Sequence, residues 1–225
     1  MPTTLDLRHE TLGYTGNFAR PTFELWGAGG VIVRQIYEAL SPYKVSLQNF
    51  QLASALSSAA DTILTVQVGS TLLKFSFEKV DVTFTAFSEE EFQAIPNFLN
   101  ASTAWLGRSV PDFQFSTHQI QYFSHSFLKE ASADEFLKAT NPKKLKSAGF
   151  DLGTGAIFHR SVPQKKWVTQ LILDRSQSIP GALFIGLSIR IEAGLVNYDS
   201  LLVEGRTYFG EFLGELGLTL PDSSH

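Results

Sequence analysis

Between Asp61 and Ala86 apolar and polar residues alternate, with Ile63, Val66 and Val68, then Leu73, Phe75 and Phe77, then Val80, Val82, Phe84 and Ala86 recurring mainly at period two. Antiparallel strands with one buried face carry this pattern, so three short strands are expected here. The period changes after Ser88. Glu91 follows three residues later, which is the spacing of a capping box, and Phe92, Ile95, Phe98 and Leu99 then share one helical face. A helix that can cover the sheet is the expectation.

Upstream the pattern is weaker. Residues 1–19 read as an irregular lead-in, with Gly13 and Gly16 as breakers, that packs on the body or on another subunit. Thr22 to Trp26 reads as a first strand. The run VIVRQIYEAL reads as a helix with Val33, Ile36, Tyr37 and Leu40 inward, stopped at Ser41 by the following Pro42. Val45, Leu47 and Phe50 suggest another strand.

Beyond a boundary at Gly107 to Pro111 the order repeats. Asp112 to Leu128 reads as one bent strand or two shorter ones, and Ser132 with Glu135 repeats the capping-box spacing before a short helix. Ala156 to His159, Trp167 to Leu173 and Ala182 to Ile191 read as strands. Asp199 to Leu216 reads as a closing helix with Leu202, Phe209, Phe212, Leu213 and Leu216 inward. Pro96 is expected to interrupt the first closing helix after two turns, and Gly205, Gly210 and Gly214 to weaken the second. The fold class expected is α+β, a degenerate duplication of a unit with antiparallel strands covered by helices. Its divisions would be an N-terminal arm at 1–20, a first half at 21–108 and a second half at 109–225.

Composition narrows the class. At 44% hydrophobic and 18% charged, with 19 Phe among 225 residues, the chain has aromatic area to bury, which suggests subunit or domain interfaces. A net charge of −4 gives no electrostatic reason to expect nucleic acid. The absence of Cys removes disulfides, thiolate nucleophiles and cysteine metal sites, and fits a reducing, cytoplasmic location. MPTTLDLRHE lacks a basic region followed by an apolar run, so no secretory signal is expected, and no run is long and apolar enough for a transmembrane segment.

Chemistry leaves few candidates. His118 and His125 lie seven residues apart, which puts them on opposite faces of a straight strand. No HxH or HExxH pattern accompanies them, so no metal and no cofactor is expected. Asp174 and Arg175 follow a strongly apolar strand; Asp174 is either a turn acceptor or, if it points inward, a carboxyl with a raised pKa able to act as acid or base. The GAGG run at 27–30 reads as a turn, or else as a close backbone contact with a ligand or partner, and matches neither a Walker loop nor a dinucleotide fingerprint. Lys143, Lys144 and Lys146 fall in a locally basic tract able to steer an acidic partner.

The function expected first is a noncatalytic protein-interaction or assembly subunit, with a protein partner or a homo-oligomer, acting through aromatic and sheet surfaces. The alternatives are a binding protein holding a small apolar ligand in a pocket between sheet and closing helix, and an enzyme with a site near Asp174.

Overall fold

The computed structural model describes residues 3–24, 29–85, 87–140, 155–192 and 196–220. The strands are β1 (Thr3–Phe18), β2 (Phe50–Leu52), β3 (Leu64–Val68), β4 (Thr71–Phe75), β5 (Lys79–Thr85), β6 (Phe115–Leu128), β7 (Ala156–Val162), β8 (Trp167–Arg175), β9 (Leu183–Glu192) and β10 (Leu218–Thr219). The α-helices are α1 (Gly29–Ala39), α2 (Glu89–Thr103), α3 (Leu106–Ser109), α4 (Ala133–Thr140) and α5 (Tyr198–Glu215). The fold is mixed α/β, an antiparallel sheet flanked by helices. Among the described residues no helix is long and apolar enough to cross a membrane.

The chain forms two compact units. One takes Leu12–Ile120 and Arg190–Leu202; the other takes Met1–Thr11, Gln121–Ile189 and Val203–His225. Strands β1, β6 and β9 and helix α5 therefore each supply residues to both.

In the first unit the strand order is β2-β3-β4-β5-β1-β6. The meander is antiparallel, with Leu64 opposite Phe75, Leu73 opposite Val82 and Phe75 opposite Val80. Each of these side chains is buried, so one face of the alternating pattern forms core. Strands β3 and β4 are joined by a two-residue turn beginning at Gly69, whose φ of +55° suits glycine. Helix α2 starts as its sequence requires: Ser88 Oγ accepts from Glu91 N–H at 3.1 Å and Glu91 Oε2 accepts from Ser88 N–H at 2.7 Å. Phe92, Ile95, Phe98 and Leu99 are all buried.

In the second unit the order is β1-β6-β9-β8-β7, with β10 parallel to β1. Strands β7 and β8 pair antiparallel from Ala156–Leu173 to Val162–Trp167. The α4 capping box is also formed, with Ser132 Oγ 3.2 Å from Glu135 N and Glu135 Oε2 3.1 Å from Ser132 N. Gly205 of α5 is a close-approach residue, since a β-carbon there would lie 3.0 Å from Tyr122 Oη, whereas Gly210 and Gly214 face open space.

Several expectations need correction. The irregular arm at 1–20 is instead the 16-residue strand β1. Its buried register is odd at Leu5 and even at Leu12, Tyr14 and Phe18, so no single period runs through it. Gly16 does not break the strand. A β-carbon at Gly16 would lie 2.6 Å from Phe115 and 2.7 Å from Tyr14 Oη, so the glycine lets two aromatic rings close over the backbone. Thr22 to Glu24, the described part of the expected first strand, is not extended into a sheet; Thr22 N–H and Oγ1–H both donate to Phe77 O, at 2.8 and 3.1 Å. Pro96 does not interrupt α2, which continues to Thr103 because the buried face on both sides of the proline outweighs one lost backbone bond. Along α1 and the turn that closes it the inward residues are Ile32, Ile36 and Leu40, spaced four apart, and Tyr37 is exposed. Gly29 and Gly30 open that helix rather than forming a turn.

Candidate functional site

Four elements of the first unit bring Tyr14 (β1), Thr103 (α2), His118 (β6) and Tyr198 (α5) together. Tyr198 is placed by a helix start in which Asn197 Oδ1 accepts from Ser200 N–H at 3.2 Å. Thr103 closes α2 and donates its hydroxyl proton to Leu99 O, one turn back, at 2.8 Å. All four side chains are buried.

They form one hydrogen-bonded chain. Thr103 Oγ1 lies 3.2 Å from Tyr198 Oη, Tyr198 Oη lies 2.9 Å from Tyr14 Oη, and Tyr14 Oη lies 2.9 Å from His118 Nδ1. Proton counting gives the direction. Thr103 has spent its one proton on Leu99, so Tyr198 must donate to it; Tyr14 must then donate to Tyr198, and His118 Nδ1–H must donate to Tyr14. Burial, reinforced by Tyr198, raises the Tyr14 pKa far above the ordinary phenol value. Burial also raises that of Tyr198, offset in part by the bonds to Thr103 and Tyr14. Both phenols therefore stay neutral. The Tyr14 and Tyr198 rings meet edge to face, with centroids 5.2 Å apart at 88°.

Beside this chain lies a pocket of about 590 Å³. Helices α2 and α3 line it through Asn100, Thr103, Ala104 and Gly107, strand β6 and its approach through Phe113, Gln114, Phe115 and His118, and the start of α5 through Val196 and Tyr198. Phe113 and Phe115 stand edge to face at 4.9 Å and 85°, and Phe18 packs on Phe113 at 5.0 Å and 75°. None of the described lining residues is Asp, Glu, Lys or Arg. The volume is that of a pocket for a small organic molecule.

The remaining candidates lie elsewhere. His125 belongs to the second unit, half-buried on β6, with Nδ1 2.7 Å from Ser176 Oγ. Its pKa is lowered by burial and then by His9. Asp174 and Arg175 end β8: Asp174 Oδ1 accepts from Arg175 N–H at 2.7 Å, and the Arg175 guanidinium pairs with Asp134. The short Nε approach to Asp134 is a charge contact rather than an aligned hydrogen bond. His125, Asp174 and Arg175 thus gather around the end of β8. His159 is exposed on β7. Lys143, Lys144 and Lys146 lie outside the described residues. Among the described residues no three His, Asp or Glu side chains converge as a metal set.

Sequence reasoning singled out His118 but missed Tyr14, Thr103 and Tyr198. Tyr14 sat in a stretch read as irregular, and no spacing links four residues drawn from four elements.

No protein-family model matches the chain, and no curated protein does. Among solved structures, a chain in the crystal structure of A. aeolicus tRNASec in complex with M. kandleri SerRS is similar at a TM-score of 0.29 and 9% identity, over 96% of this chain and 30% of that one. This chain therefore spans less than a third of the length of that relative, and the score is too low to indicate a shared fold.

Proposed function

We propose that the chain is a noncatalytic small-molecule binding protein whose ligand is an uncharged aromatic or apolar compound seated in the pocket beside His118. The observation that carries this reading is the composition of the pocket wall. Phe113 and Phe115 supply flat apolar surface, and the polar groups around them are hydroxyl, amide and imidazole groups, with no carboxylate, ammonium or guanidinium among the described lining residues. An ionised ligand would lose its hydration there with no described opposite charge to replace it. Gly107 lines the pocket and offers the test, because a β-carbon added there meets nothing within 4 Å and a larger side chain starts without a clash. Ligand-observed NMR should show binding of neutral aromatic fragments to the wild-type chain, with their anionic and cationic analogues left unbound. Gly107→Trp should abolish it while leaving thermal unfolding nearly unchanged. If no fragment binds, or if every bound fragment still binds Gly107→Trp, this reading fails.

A second reading, an assembly subunit, draws support from β7. That strand ends the strand order of its unit, and it and β8 expose Ile157 and Val168. Light scattering over a concentration series should then report a mass above 24.9 kDa that Ile157→Lys returns to the monomer value. A monomer at all concentrations would count against self-assembly.

We also infer that the chain is a degenerate duplication, with β1 belonging to the first half rather than to an arm. Each half runs long strand, helix, three-strand meander, helix, and in each the last meander strand lies beside the long one, giving β3-β4-β5-β1 and β7-β8-β9-β6. The β2 segment has no counterpart. Superposition of 3–103 on 115–215 tests this: matching strand directions and helix faces are expected, and helices falling on opposite faces would refute it.

A further inference from the structure

We propose that His9 and His125 form a two-imidazole site for a borderline divalent transition ion, of the class of Ni²⁺, Cu²⁺ or Zn²⁺. His9 is exposed on β1, His125 is half-buried on β6, and their ring centroids stand 6.1 Å apart at 47°. A metal–nitrogen bond of about 2.0–2.1 Å puts each ring centre about 3.2 Å from the ion, so two rings on one ion stand about 5 to 6.4 Å apart depending on the angle. The observed separation falls inside that span, and the exposed His9 ring can turn to shorten it. Imidazole is the side chain these ions favour.

The surroundings prepare His125 for the role. Its Nδ1 faces Ser176 Oγ at 2.7 Å, and that oxygen is itself anchored by accepting from Ile179 N–H at 2.8 Å. With Nδ1–H donating to Ser176 Oγ, Nε2 is the coordinating atom, and the serine bond holds the ring plane as an outer-shell partner does in metal sites. Phe184 packs on the same ring at 5.3 Å and limits its rotation. Arg8, next to His9 in sequence, is paired with Asp6 at 2.6 Å, and Arg175, next to Ser176, is paired with Asp134, so both charges are balanced. Two protein nitrogens leave coordination positions open to water or to a carboxylate from outside.

The experiment is isothermal titration of NiCl₂ into the full chain at pH 7.5, with circular dichroism to verify folding. One ion per chain is expected, with affinity falling at least tenfold in His9→Ala and in His125→Ala and unchanged in the surface control His159→Ala. Wild-type chain that takes up no Ni²⁺ would overturn the site, as would His9→Ala binding within twofold of wild type, or His159→Ala losing as much as His9→Ala. Because His9 is exposed, its variant keeps the test decisive even if His125→Ala fails to fold.

Discussion

Removing the Tyr14 hydroxyl is the sharpest probe of the buried chain beside the pocket. In Tyr14→Phe the ring and its edge-to-face contact with Tyr198 remain, but His118 Nδ1–H loses its acceptor and Tyr198 Oη loses a donor. The two losses are unequal. Tyr198 still donates to Thr103, whereas the buried imidazole loses its bond to the Tyr14 hydroxyl, a loss that costs about 1–3 kcal/mol. A destabilisation of about 2 kcal/mol is expected, equivalent to a fall in Tm of about 4–8 °C for a chain of this size. Tyr198→Phe instead strands the Tyr14 O–H, while Thr103 keeps its bond to Leu99, so about 1–2 kcal/mol is expected. In the double variant the Tyr14–Tyr198 bond is lost only once, and a coupling energy of about 1 kcal/mol should appear. Urea unfolding followed by fluorescence of the buried Trp105 and by circular dichroism measures all three, with unchanged m-values. ¹⁵N NMR of His118 should report a protonated Nδ1. Single variants costing under about 0.5 kcal/mol, with additive effects, would show that these residues do not act as a hydrogen-bonded unit; an unprotonated Nδ1 would reverse the assigned direction.

Two other perturbations follow from local geometry. Gly205→Ala should destabilise by about 1–3 kcal/mol because its methyl meets the Tyr122 ring and hydroxyl, whereas Gly210→Ala, in open space on the same helix, should stabilise by up to about 1 kcal/mol; equal effects in urea unfolding would contradict the close approach. Asp61 accepts from the backbone N–H groups and hydroxyls of Ser57 and Ser58, which hold its pKa well below the ordinary 3.8. Its contribution is therefore present above about pH 4 and lost as pH falls further, so the gap in urea midpoint between wild type and Asp61→Asn should close in acid. A gap independent of pH would rule this out.

The sequence revealed most where one residue pattern had one physical meaning. Strands β3 to β5 alternate with a single buried face, and α2 announces its start through Ser88 and Glu91, so both were readable from local spacing. Strand β1 was not, because its buried register changes between Leu5 and Leu12 and because glycine reads as a breaker unless the rings that need its missing β-carbon are known. The helical reading of α1 failed in detail for a related reason. Ile32, Ile36 and Leu40 lie on one stripe, but Val33 and Tyr37 lie beside it, and only packing decides which stripe turns inward.

Chemistry was the least legible part. Tyr14 and Tyr198 are 184 positions apart, and Tyr14 and His118 are 104 apart, so no local motif could join them. Their arrangement is compatible with the proposed binding role, and the direction of the hydrogen bonds bears on it. A proton relay needs a base or acid at each end, but this chain runs from an imidazole N–H through two phenols and a threonine to the Leu99 carbonyl, an acceptor with no proton to pass on. Burial raises the pKa values of both phenols, which makes ionised intermediates along the way costly. What such a terminated chain does well is hold four side chains in one orientation. If the proposed ligand binds, an imidazole and a phenol already held beside Phe113 and Phe115 would reduce the ordering cost of binding it.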